Sequence, residues 1–76
     1  MTPKEKADEL FTGYYVMLLE TDSQISEEII ISILSQQLAL IAVDEIIQEV
    51  IESANNEIKS TRVIYWQKVK QEIENL

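Results

Sequence analysis

Seventy-six residues allow one small domain, which buries only ~60% of the surface its unfolded chain exposes and has a thin margin of stability. The chain has no Cys and no His, so disulfides, the usual zinc sites and the commonest general base are excluded. Proteins this short usually add a disulfide, a metal or a partner subunit, and association with another chain is the expectation that survives here.

The net charge of −8 is unevenly spread. Residues 20–57 hold nine acids and no base, whereas residues 58–76 hold Lys59, Arg62, Lys68 and Lys70 against Glu72 and Glu74. An acidic centre disfavours broad contact with nucleic acid, whose phosphates need Lys and Arg. It suits a basic partner, or it serves as a solvated face that keeps an apolar helix in water.

Thr2-Pro3-Lys4-Glu5 has the pattern of a capping box, with Pro3 at the first helical position. Ala7, Leu10, Phe11, Tyr14 and Leu18 follow at helical spacing, which predicts a first helix over about 3–19. Gly13 lies in its middle and costs ~1 kcal/mol relative to Ala, with a close backbone approach or a bend as its two structural readings. Tyr14 and Tyr15 are adjacent and cannot both face one core, so Tyr15 is a candidate protein-contact residue, Tyr being enriched at interfaces.

Glu20–Gln24 reads as a loop, because Thr21, Asp22 and Ser23 offer side-chain hydrogen bonds that compete with helix. Ser26 is a good N-cap, Glu27 and Glu28 complement the helix dipole, and Ile25 with Ile30 matches a hydrophobic staple.

The central segment then runs over about 26–55 and organises the chain. Of the 23 residues from Ile29 to Ile51, 15 are Ile, Leu, Val or Ala, with no Gly or Pro among them. The run is too long for a strand and lacks sustained alternation, so it is a helix. Ile29, Ile33, Leu40, Ile47 and Ile51 share one side of it, while Ile30, Leu34, Leu38 and Ile41 lie far round from that side. Such a helix must be covered from several directions. It does not read as a membrane span, since its longest unbroken apolar run is the six residues Leu38–Val43.

Asn55-Asn56 is a C-terminal signal, and the break is expected between Asn55 and Thr61, with Ser60 or Thr61 capping the next helix. That last helix is expected over about 62–75, with Ile64 or Tyr65, Trp66, Val69, Ile73 and Leu76 on one face. Lys68 and Glu72 would pair on its wet side.

Two passages resemble a known family. Ala39-Leu40-Ile41-Ala42-Val43-Asp44-Glu45-Ile46-Ile47 and Tyr65-Trp66-Gln67-Lys68-Val69-Lys70-Gln71-Glu72-Ile73 are similar to segments of short uncharacterised proteins from phages and prophages of Bacteroidetes-type bacteria. That family typically also opens with a helix like Pro3–Ala7, and the matching stretches cover about half of the chain. Gln36-Gln37 stands where the family has Lys-Gln-Cys, so no thiol is in play. The resemblance implies a phage or mobile-element origin and no activity. Early acidic residues without a following apolar signal core, and the lack of a membrane span, lead to the expectation of a cytoplasmic location, in the host cell if the chain is phage-encoded.

The chemical inventory is poor. Glu45, Glu49 and Glu52 share roughly one face of the central helix, and Asp44 and Gln48 form a neighbouring pair. Carboxylates on a helix can hold hard cations, but a dinuclear bundle site normally adds Glu-x-x-His, which is absent. With one Gly in the chain there is no phosphate loop. No metal, cofactor or catalytic residue is therefore assigned, and no enzyme is expected. Asp44, Glu45, Glu49 and Glu52 are candidate protein contacts. Arg62, Tyr65, Trp66, Lys68 and Lys70 combine cations with planar rings, a combination that can stack on a base and pair with phosphate. Trp66 is first of all a core anchor by its spacing to Val69 and Ile73.

Together these features predict an all-α fold, a three-helix bundle with a long central apolar helix, assembled into a homo-oligomer through that helix. The expected role is non-catalytic binding of a host or phage protein, such as one that serves host defence. The alternative is sequestration of a small anionic ligand, such as a signalling nucleotide, between subunits. A membrane partner is not expected.

Overall fold

The computed structural model describes residues 1–21, 27–53 and 56–76. Three helices, α1 (Pro3–Thr21), α2 (Glu28–Ser53) and α3 (Asn56–Glu74), each pack against the other two. The result is the all-α three-helix bundle that the periodicity predicts. At 1.5 Å per residue α2 is ~39 Å long, and it sets the long dimension of a body measuring 46 × 20 × 16 Å.

The start of α1 forms as its sequence dictates. The Glu5 amide donates to Thr2 Oγ1 and the Thr2 amide donates to Glu5 Oε1, both at 3.1 Å, which closes the capping box. The hydrogen bond from the Thr2 backbone leads the causes that hold the Glu5 carboxyl below its ordinary value. Gly13 lies inside α1, and a Cβ added there would meet nothing within 4 Å. The close approach suggested for it is therefore not made.

Two boundaries differ from the sequence reading. Helix α1 runs on to Thr21, and α3 begins at Asn56 rather than near residue 62. Asn is as good at opening a helix as at closing one, and Ser60 and Thr61 cost only a few tenths of a kcal/mol inside a helix. Packing of the rest of α3 outweighs that cost. The loop residues Asp22–Gln24, the staple residue Ile25, the cap Ser26 and the stop signal at Asn55 lie outside the described residues.

The core is built mainly from small side chains. Ala7 of α1, Ala39 and Val43 of α2, and Val69 and Ile73 of α3 form one buried cluster. Leu10, Tyr14, Leu40, Ile47, Tyr65 and Trp66 close over it, each half-buried. Along α2 the buried line is Ile31, Ser35, Ala39, Val43 and Val50. This is neither of the two apolar sides that the helical wheel singles out. Ser35 is tolerated there because its hydroxyl donates to the Ile31 carbonyl at 2.7 Å, so its polar group is not left unpaired. Small residues on the inner line let the helices approach closely, since interaxial distance follows the side chains at the contact.

Helix α3 puts Val69 and Ile73 inside, and of the alternatives Ile64 and Tyr65 it is Tyr65 that packs on the core while Ile64 is exposed; Leu76, expected on the same face, is exposed too. Its C-terminal end is held by α2. The Gln36 side-chain amide donates to the carbonyls of Ile73 (2.9 Å) and Glu74 (3.3 Å) at the helix end, where the Ile73 carbonyl also accepts from the Leu76 amide at 3.1 Å.

Candidate functional site

With α1 and α3 packed on it, α2 keeps one long side uncovered. At 100° per residue the directions opposite the buried line are those of Ile30, Ile33, Leu34, Gln37, Ile41, Asp44, Glu45, Gln48, Ile51 and Glu52, of which Leu34 is half-buried. Of these, Ile30, Ile33, Ile41, Asp44, Glu45, Gln37, Gln48 and Glu52 are all exposed. This side has two chemically different halves. From Ile29 to Val43 no residue carries a charge, and Ile30 (45%), Ile33 (49%) and Ile41 (58%) stand in water. From Asp44 onward the outward positions are mostly acidic.

In the acidic half, Ile41, Asp44, Glu45, Gln48 and Glu49 line a shallow, open depression. Gln48 donates its side-chain amide to Glu52 Oε1 at 3.2 Å, which ties two outward side chains together. The sequence has no base near these acids, but the fold supplies one. Lys70 of α3 reaches Asp44 at 2.9 Å, and the hydrogen bond and charge of that carboxylate raise the Lys70 ammonium above its ordinary value. The four candidate acids are thus not equivalent: Asp44 is ion-paired, while Glu45, Glu49 and Glu52 form no ion pair among the described residues. The other bridge is Lys6–Glu9, also 2.9 Å, within α1. The pairing expected between Lys68 and Glu72 is not among the ion pairs of the described residues.

Of the candidate ligand-binding residues, Tyr65 and Trp66 lie edge to face with ring centroids 5.3 Å apart. Trp66 packs on the core, consistent with an anchor, although it is half-buried rather than enclosed. The Tyr65 hydroxyl donates to the Met1 carbonyl at 3.1 Å, which fixes the N-terminus against α3. Lys70 is committed to Asp44. Lys68 points elsewhere, into a surface depression with Ile64, Gln67, Gln71 and Glu74. Arg62 is exposed. The five residues therefore form no single pocket.

Tyr15 is half-buried and stacks on Phe11 at 6.0 Å and 30°, so its ring is partly occupied within α1. Tyr14 is likewise half-buried, on the core side. Among the described residues no group of three or more carboxylates is placed to hold a metal ion.

The functional reading of the sequence missed Gln36, which binds α2 to the end of α3. A signal for the packed face was present: Ser35, Ala39 and Val43 recur every four residues, and Ser35 and Ala39 are smaller than the residues on either side of them. By length and composition alone α2 could cross a membrane, yet it packs against both other helices and buries Ser35 between them.

Comparison with protein-family models, with curated proteins and with solved structures found no match.

Proposed function

We propose that this chain is a small non-catalytic binding protein of the phage-accessory type, and that it acts by seating a host or phage protein on the acidic half of α2. The observation that carries this reading is the contrast at Asp44. One outward carboxylate has its base within the chain, while Glu45, Glu49 and Glu52 have none among the described residues, and Glu45 and Glu49 line an open depression together with Ile41. A basic protein surface complements that arrangement, with charge governing encounter and register and Ile41 adding an apolar contact. The resemblance of Ala39–Ile47 and Tyr65–Ile73 to phage proteins favours a partner in the infected cell. Sequestration of an anionic ligand has less support, because Lys68 and Lys70 diverge and Lys70 is already paired.

The test is capture from host lysate by wild type and by a variant carrying Glu45→Gln, Glu49→Gln and Glu52→Gln together. Proteins retained by wild type at low salt should be lost both with the variant and at high salt, where exposed charges are screened over ~8 Å or less. A protein retained equally under all these conditions would sink the acidic-contact reading.

A further inference from the structure

The uncharged half of α2 poses a different problem from the acidic half. Over the fifteen residues Ile29–Val43 there is no charge, and Ile30, Ile33, Leu38 and Ile41 are exposed by 36–58%. Depletion of charge with large aliphatics exposed is the composition of an interface core. The chain exposes 5424 Å², where a compact monomer of this length exposes ~4800 Å². The excess accords with an elongated body, 46 × 20 × 16 Å, along which α2 presents this stripe.

The surroundings of the stripe select its occupant. A basic partner would find nothing to pair with between Ile29 and Val43. An anionic membrane would meet Glu27 and Glu28 at one end and Asp44 and Glu45 at the other, where an interfacial helix carries Lys and Arg. A second copy of the chain brings the same uncharged stripe and needs no charge to match.

We propose that a second copy covers this stripe, α2 against α2, antiparallel about a twofold axis between Ser35 and Gln36. In that register Ile30 lies opposite Ile41 near the middle of the stripe, Ile33 and Leu38 come level on its two edges, and Leu34 comes level with the Gln37 amide. Apolar side chains meet across an isologous contact. Residues 44–53 of each helix then extend past the partner's helix start at Glu28 and stay open to solvent. A parallel pair would instead set Glu45, Glu49 and Glu52 beside their own copies, a like-charge contact that costs stability. At each end of the antiparallel overlap the partner's Glu27 comes level with Asp44, the one outward acid whose charge Lys70 already balances. This pairing rests on the uncharged half of α2 and does not depend on the partner proposed for the acidic half.

The chain has no Cys, so orientation can be read with single cysteines in the full protein. Along the axis of the proposed pair, residues 37 of the two copies are ~5 Å apart and residues 48 are ~38 Å apart, at 1.5 Å per residue. Under mild oxidation Gln37→Cys should give a covalent dimer within minutes, and Gln48→Cys should give no more than the urea-unfolded chain does. In sedimentation equilibrium, wild type should report two chains at micromolar concentration. The double variant Ile33→Glu, Ile41→Glu should report one, with its circular dichroism unchanged, since both positions are exposed in the single chain. The triple Gln variant of the acidic half should remain dimeric whatever happens to lysate capture. A wild-type monomer at hundreds of micromolar would overturn the proposal. So would equal cross-linking at positions 37 and 48, which means a parallel pair, or flotation of a monomer with phosphatidylcholine vesicles, which means that lipid covers the stripe.

Discussion

The two sides of α2 are both apolar over much of their length and meet opposite fates. The inner line, Ile31, Ser35, Ala39, Val43 and Val50, is buried although it contains a hydroxyl. The outer line holds larger aliphatics, Ile30, Ile33 and Ile41, and leaves them in water. Hydrophobicity alone would have assigned the faces the other way round. Small side chains at Ser35, Ala39 and Val43 let the two flanking helices approach along that line, and Ile31 at its end is enclosed by them, so it is the docking line rather than residue size alone that separates the two sides. The lesson is that large aliphatics on an all-round apolar helix can mark the side kept for a partner.

The sharpest way to break this comparison is to make the same change on both sides. Ile31→Ala should cost about 2–5 kcal/mol of unfolding free energy, by lost transfer and by the cavity left behind. Ile33→Ala, two residues on, should change single-chain stability by less than ~0.5 kcal/mol. Urea denaturation under dilute, monomeric conditions measures both. Equal losses would mean that the outer side is as well packed as the inner one, and the contrast would collapse.

A smaller effect tests how α2 organises its neighbour. Gln36→Ala removes the donor shared by the Ile73 and Glu74 carbonyls, and a net loss of ~0.5–1.5 kcal/mol is expected for an ordinary hydrogen bond. Because the bond holds the end of α3, amide exchange of the last turn of that helix should quicken more than exchange in α1.

Gly13→Ala should act in the opposite direction. The position lies inside α1 with open space where the new methyl would go, and the substitution should stabilise by about 0.4–1 kcal/mol through helix propensity and a stiffer unfolded chain. A loss of stability would show that α1 needs the glycine for a contact that the single chain does not display, which would extend the outer interface to that helix.

The smallest expected effect is at the Asp44–Lys70 bridge, where both side chains are largely exposed and salt screens them. Asp44 raises the Lys70 ammonium above its ordinary 10.5, so the stabilisation is complete below that value and fades as pH rises through the folded-state value. The stability difference between wild type and Asp44→Asn should therefore be level from neutral pH to about pH 10 and shrink above it. Glu5 titrates with the opposite sign. Its carboxyl is held below 4.5, so its share of the α1 cap is present above that value and is lost as pH falls through the folded-state value.

Much of the fold was legible because its causes are local. Thr2, Pro3 and Glu5 specify the start of α1 within four residues of chain, and the structure closes that capping box as read. The apolar period and the absence of Gly and Pro make α2 a helix wherever its neighbours lie. The start of α3 lies about six residues before the expected one, because Asn55-Asn56 signals a boundary without saying on which side the next helix starts, and Ser60 and Thr61 resist helix only weakly. The pairing of Lys70 with Asp44 and of Gln36 with Ile73 could not be read at all. Those residues are far apart in sequence, and only the antiparallel packing of α2 on α3 brings them within 3 Å.

From residue order alone came the helical class, the excess of apolar surface on the central helix, the acidic middle and the absence of thiol and imidazole chemistry. Periodicity, composition and capping act over a few residues and need no tertiary context. The fold alone decided which side of α2 is buried and which acid has a base. Each of these depends on how closely and at what level two helices dock, and that is set by the sizes of side chains meeting across the core. Ser35 is inside and Ile33 is not because α1 and α3 dock along the line of Ile31, Ser35, Ala39 and Val43.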